Sequence, residues 1–357
     1  MIAATTPVQR SPDARLLVVD SAGQIAHLPR SNFPNLLRTG DLVIANDAAT
    51  LPASLFGIHR PSGARIEVRL AGRRSLDLDA VCCFSAIVFG DGDYRTPTEY
   101  RPSPPALHVG DTLQLGSLQA TVAELQDHPR LIVLRFRGSA DEIWRGLARE
   151  GRPIQYAHVP TPLAIWDTWT PIAGPLAAYE PPSAGFILNW GTLDAMIRRG
   201  VQFGAVTHAA GISSTGDAEL DARLPFDEPY RIPESTATLV REASRRSRRV
   251  IAIGTTVVRA LEHAAAADDS LRAGEGVATQ RIGRTTKLRV ADAIVSGTHE
   301  PGSSHYELLR AFVNDAVLAR MSEQLEQHRY RTHEFGDSIF VERQVSSPIE
   351  WDRSLDQ

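Results

Sequence analysis

Val250-Ile251-Ala252-Ile253-Gly254-Thr255-Thr256-Val257-Val258-Arg259 decides how this chain reads. Four apolar residues run straight into Gly-Thr-Thr, and an Ala-rich helical pattern follows, expected over residues 257–267. The stretch is therefore a buried strand whose polar turn opens a helix. At such a junction free backbone N–H groups face whatever lies beyond the strand's C-terminal end, a ready site for a carboxylate or phosphate. The competing reading leaves Thr255 and Thr256 as simple helix caps.

Downstream of this stretch, residues 288–295 read as another strand and 296–303 as a polar loop. Ser304-His305-Tyr306-Glu307 then reads as a capping box that starts a helix to about residue 327, and residues 338–342 as a last strand. Upstream, residues 192–199 read as a helix capped by Gly200. Residues 201–206 read as a strand leading to Thr207 and His208, and Pro233 opens a helix to about residue 246. Residues 15–19 and 41–45 are further apolar strands, with a short helical turn over 35–40 between them. At least three strands thus end in Gly-, Ser-, Thr- or His-bearing loops that lead into helices. Ligands bind beyond the C-terminal strand ends of sheets built this way.

Residues 58–149 differ in character. Short alternating segments (64–70, 113–115, 119–125, 131–136) are separated by Gly, Pro and Asp, which indicates a small all-β barrel inserted into the larger unit. The expected organisation is an α/β domain over residues 1–57 and 150–357, with its active site at the C-terminal strand edge, interrupted by the barrel.

A chain of 357 residues fits two domains, and 43% hydrophobic with 22% charged residues fits a soluble globular protein. The net charge of −4 argues against indiscriminate nucleic-acid binding. Cys82 and Cys83 are adjacent, which excludes a disulfide framework and suggests two buried, reduced thiols. No apolar leader core or membrane-length run occurs, so a cytoplasmic location is expected. Neither CxxC nor HExxH spacing is present, so no metal is expected.

His299, flanked by Gly297 and Gly302 in the 296–304 loop, is a candidate acid or base near neutral pH. Asn46 and Asp47 follow a strand and fit an Asx turn, as does Asp337. Judged alone, Glu228 reads as solvated, and His208, at a strand end, reads equally as a functional group or a satisfied core histidine. The basic run Arg241, Arg245, Arg246, Arg248 and Arg249 reads as a solvated helix face, with phosphate contact the lesser alternative. Trp166 and Trp169, among prolines, read as packing at the domain junction, with base stacking the lesser alternative.

Taken in order, eight segments resemble the S-adenosylmethionine:tRNA ribosyltransferase-isomerase family of queuosine biosynthesis. They are Arg15-Leu-Leu-Val-Val-Asp20, Leu36-Leu-Arg-Thr-Gly-Asp-Leu-Val-Ile-Ala-Asn-Asp47, Leu51-Pro-Ala-Ser-Leu-Phe-Gly57 and Pro182-Ser-Ala-Gly-Phe186. Glu228-x-Tyr230-x-Ile-Pro-Glu234, Ile251-Ala-Ile-Gly-Thr-Thr-Val-Val-Arg-Ala-Leu-Glu262, His299-x-Pro-x-Ser-Ser304 and Tyr330-Arg-x-x-x-Phe-Gly-Asp337 complete the set. The resemblance implies a large α/β domain with an inserted barrel. It implies transfer of the ribosyl part of S-adenosylmethionine to the aminomethyl group of a 7-deazaguanine in tRNA, with rearrangement to an epoxycyclopentane and loss of adenine and methionine. The sulfonium acidifies the ribose C5′ hydrogens, so a positioned base can begin elimination without a metal. The resemblance places Gly254, Thr255, Thr256 and Arg259 at the methionine or ribose end of the donor. It adds Ser183, Gly185, Asn46 and Asp47 to the donor-binding set, and assigns catalysis to His299, Glu228 and Ser303. Monomeric behaviour and a tRNA partner are expected.

The chain also departs from the family pattern. Asn-Asp-Thr-Arg-Val-Ile-Pro-Ala-Arg becomes Asn46-Asp-Ala-Ala-Thr-Leu-Pro-Ala-Ser54, and Pro-Thr-Ala-Gly-Leu-His becomes Pro182-Ser-Ala-Gly-Phe-Ile187. A strand histidine falls on Ala209, and His-Lys-Met-His-Ser-Glu becomes Arg223-Leu-Pro-Phe-Asp-Glu228. Lost arginines remove bidentate anion contacts, and lost imidazoles remove proton-transfer groups. These changes imply a divergent member. They leave open a small-molecule acceptor in place of tRNA, or a non-catalytic nucleotide- or RNA-binding paralogue.

Overall fold

Residues 42–45 and 250–253 are apolar on both sides of the chain, as strands covered on both faces must be. In the computed structural model, which describes residues 1–266 and 271–344, both lie in the centre of a nine-stranded sheet. Four strands there are parallel neighbours, in the order Gln202–His208, Leu42–Asn46, Val250–Ile253, Ala293–Gly297. Alternation along them sorts their side chains. Leu42, Ile44 and Ala252 pack under Val240, Val257, Leu261 and Leu318 of the helices Glu234–Arg245, Thr255–Ala264 and Asp315–Gln327. Val43, Ala45, Ile251 and Ile253 meet Phe33, Ile187 and Met196 on the other face.

The sheet is mixed rather than wholly parallel. Ser338–Glu342 runs antiparallel to Ala293–Gly297, Arg15–Val19 pairs parallel with Ser338–Glu342, and Glu228–Ile232 pairs antiparallel with Gln202–His208. Asp337 therefore reaches the same edge as Gly297. Its buried carboxylate accepts the N–H groups of Arg15 and Arg331, both at 2.8 Å, which makes it a structural staple.

Six strands between Ser54 and Phe136 close into a barrel. Its interior is filled by Leu55, Val68, Phe84, Val88, Leu113, Val122 and Leu134. The helix Ala140–Glu150, opened by a Ser139–Glu142 capping box, lays Ile143 and Leu147 against it. Two of the six strands, Ser54–His59 and Cys83–Phe89, are not signalled by simple alternation in the sequence.

Several local expectations are corrected. The helical turn before Leu42 is a 3₁₀ turn at Arg30–Leu36, because Thr39 and Gly40 (φ 88°) turn the chain into the strand. The helix after Gly254 begins at Thr255 and ends at Ala264, and residue 267 lies outside the described residues. The expected long helix 304–327 is two, Ser304–Leu309 and Asp315–Gln327, each with its own cap, Ser303 and Asn314. Cys82 is exposed rather than buried. Trp166 is 71% exposed, which removes it from the domain junction, whereas Trp169 donates its indole N–H to the Thr50 carbonyl at 3.0 Å.

Candidate active site

The C-terminal ends of three of the four parallel strands, Gln202–His208, Val250–Ile253 and Ala293–Gly297, open into a cavity of about 290 Å³. Gly254, Thr255, Thr256 and Arg259 form one wall, Ser183 and Gly211 another, and Ser296, His299 and His305 a third. A second compartment of about 480 Å³ shares Glu180, Ser183, Ser213, His299 and His305 with the first, and extends outward to Ser303, His158, His333 and Glu334. Its far wall is Thr98 and Glu99 from the barrel's turn-rich loop, so the inserted domain completes the cleft.

Gly254 adopts φ 100°, ψ 151° and serves as N-cap of the following helix, which no side chain caps. A Cβ at this φ would be strained, which accounts for glycine here. The threonines are therefore not caps. They sit in the first helical turn, where both line the cavity, and the Thr256 hydroxyl accepts the Asn46 amide at 3.4 Å. An uncapped helix start beside a cavity suits a carboxylate through its N–H groups and dipole.

His299 follows the Ala293–Gly297 strand. Its Nε2 lies 3.1 Å from Ser296 Oγ, and its ring stacks on His305 at 4.4 Å. Burial, and then the neighbouring His305 and His333, hold its pKa well below the usual imidazole value. The ring is neutral at pH 7 and can accept a proton, as a weaker base than free imidazole. His305 is likewise depressed, to about 4, mainly by burial.

That depression has a consequence for stability. The unfolded chain takes up this proton below about pH 6.5, the folded protein only near pH 4. Between those values the unfolded state binds more protons, so stability falls as pH is lowered through the window. His305→Asn is expected to flatten this acid slope by on the order of 2 kcal/mol, discounted because solvent reaches the ring. Urea unfolding at pH 7 and pH 4.5 measures it, and parallel slopes in both proteins would remove His305 from the account.

The remaining candidates divide. Glu228 is buried rather than solvated: it ion-pairs with Arg259 and accepts the Gly211 N–H at 2.6 Å. Arg259 also donates to the carbonyls of Ala278 (2.8 Å) and Phe226 (3.2 Å), so most of its guanidinium braces the cavity wall. Burial pushes the Glu228 carboxyl up against the pull of Arg259. Ser303 lies in the outer compartment, with its hydroxyl engaged by Tyr306 N–H and the Glu300 carbonyl.

Asn46, Asp47 and Gly185 do not line either compartment. Asn46 bridges two strand ends by accepting the His208 N–H and donating to the His208 carbonyl. Asp47 accepts Thr207 Oγ1 at 2.7 Å. Gly185 allows close packing, since a Cβ there would lie 2.8 Å from Thr170. His208 is fully buried yet unsatisfied, with neither ring nitrogen hydrogen-bonded, and burial drives its pKa far down. The basic run lies at the opposite, N-terminal edge of the sheet, where Arg241, Arg245, Arg248 and Arg249 line a separate cavity with Asp292.

Sequence reasoning did not single out Glu180, Tyr156, His158 or His333, and it saw His305 only as part of a cap. Glu180 in Tyr-Glu-Pro-Pro carries no local pattern, and its surroundings come from segments 24 and 33 residues away.

The fold and cleft define an α/β protein with an inserted barrel whose ligand site lies beyond the ends of parallel strands. The chain belongs to the queuosine biosynthesis protein family, whose model matches residues 1–341. A Geobacter sulfurreducens relative named S-adenosylmethionine:tRNA ribosyltransferase-isomerase is 30% identical over 347 residues, covering 96% of each chain. One of the same name from Sorangium cellulosum is 31% identical over 372 residues, covering 97% of this chain and 96% of its own. The crystal structure of S-adenosylmethionine tRNA ribosyltransferase from Thermotoga maritima shares the fold, with a TM-score of 0.50 at 22% identity over 95% of this chain and 96% of that one.

Proposed function

We propose that this chain transfers and isomerises the ribosyl group of S-adenosylmethionine onto a 7-deazaguanine of tRNA, working in the cytoplasm. The observation that carries the reading is the uncapped helix start at Gly254, opening into the same cavity as a neutral His299. The names of relatives matched along nearly the whole chain support it.

In this reading the N–H groups of the first turn and Thr255 hold the donor's carboxylate end, and Ser183 and Gly254 leave room for its nucleoside. The Arg259–Glu228 pair keeps the wall rigid, because each buried charge is compensated by the other. His299 lies where a proton can be taken up, oriented by Ser296 and His305. Ser303 fixes the helix that carries His305. The sulfonium donor supplies an acidified C–H and its own leaving groups, so the protein has to contribute position, a base and exclusion of water.

Incubation with S-adenosylmethionine and tRNA bearing the aminomethyl-deazaguanine precursor should release free adenine and methionine. Omitting the tRNA should abolish release. Adenine formed equally without tRNA would point to another acceptor, and binding with no adenine under any condition would overturn the enzymatic reading.

A further inference from the structure

The outer compartment has a one-sided charge. Its lining includes Glu99, Glu180, Glu300 and Glu334 and four histidines, with no lysine or arginine among the lining residues described. Glu334 is already committed to His158, at 2.9 Å. Glu180 is different. It is only 7% exposed, lines both compartments, and makes its hydrogen bonds through one oxygen. Oε1 accepts the Ser213 N–H at 3.0 Å and the Tyr156 hydroxyl, while Oε2 has no hydrogen-bond partner among the described residues. A largely buried carboxylate with one oxygen open to the seam of two cavities is placed to meet a cation there.

We propose that the outer compartment is the subsite for a primary ammonium group on the acceptor base, and that the Glu180 carboxylate receives this group. The inference rests on the reading of the inner cavity as the donor site, since the amine must meet the donor across the seam. Tyr156 and Ser213 hold the carboxylate in place as positioning residues.

Charge around Glu180 supports the role. Burial, and then the negative charge of Glu334, raise its pKa to about 7, against hydrogen bonds from Tyr156 and Ser213. Arg69, across the barrel wall, is the nearby cation that feels its charge. An arriving ammonium favours the ionised form. Amine recognition should therefore strengthen as pH rises through 7, where the carboxylate forms, and weaken below it.

The test compares tRNA carrying the aminomethyl base with tRNA carrying a neutral nitrile at the same position. Wild-type protein should bind the amine form about 10- to 100-fold more tightly, the range of one charge-assisted hydrogen bond, with the preference fading as pH drops from 8 to 6. Glu180→Gln keeps an oxygen for Tyr156 and Ser213 but loses the charge. It should bind both RNAs alike at every pH. Equal binding of the two RNAs by the wild-type protein, or an undiminished preference in Glu180→Gln, overturns the subsite. Failure of the functional reading is seen separately, as absence of adenine release by the wild-type protein.

Discussion

Replacement of His299 by glutamine is expected to lower turnover about 10²- to 10⁴-fold, the usual contribution of one general acid–base group, with S-adenosylmethionine affinity unchanged. The ring is kept neutral by burial and by two other imidazoles, and its Nε2 hydrogen-bonds Ser296. Glutamine can replace that hydrogen bond but cannot accept a proton at neutral pH. A fall in kcat without a change in donor affinity marks an interaction made only in the transition state. Calorimetric titration of the donor alongside single-turnover adenine release separates the two quantities. Equal losses in both, or no loss in either, would return His299 to a packing role.

The second large effect concerns Gly254. Gly254→Val is expected to weaken S-adenosylmethionine binding by about tenfold or more, as loss of a helix-start contact worth up to ~2 kcal/mol implies. It should also cost about 1–3 kcal/mol of stability, because φ 100° with ψ 151° is open essentially only to glycine. Relief of that strain rotates the first turn, and the N–H groups of Thr255 and Thr256 leave the cavity. Gly110→Val is the control. It has φ 95° just before the barrel strand Thr112–Leu115 with nothing within 4 Å of a new Cβ, so it should bear backbone strain and leave donor affinity intact. Equal affinity losses in the two variants would show that Gly254 acts only through general stability.

Much of the site's chassis was legible in the chain. The Val250–Ile253 strand and its glycine turn follow from local composition, and the four barrel segments from alternation. Direction was not legible. Nothing in the sequence of residues 15–19 or 338–342 says that they run against the central four strands, because periodicity is the same read either way. Glu228 read as solvated because its neighbours are Asp227 and Pro229. Its burial depends on Arg259, 31 residues away. The Ser303 cap shifted by one residue from the expected box, which is within the ordinary uncertainty of helix ends.

By itself, the sequence determined a strand–glycine–helix junction, the barrel insertion and the family to which the chain belongs, since these are written in short-range pattern and in the order of motifs. Only the tertiary structure decided which ionisable groups share the cleft and in what state. His299 and His305 are held neutral, Glu228 and Arg259 neutralise each other, and Glu180 is lifted toward pH 7. Protonation is set by desolvation and by charges brought close from distant positions in the chain, and both exist only in the folded cleft.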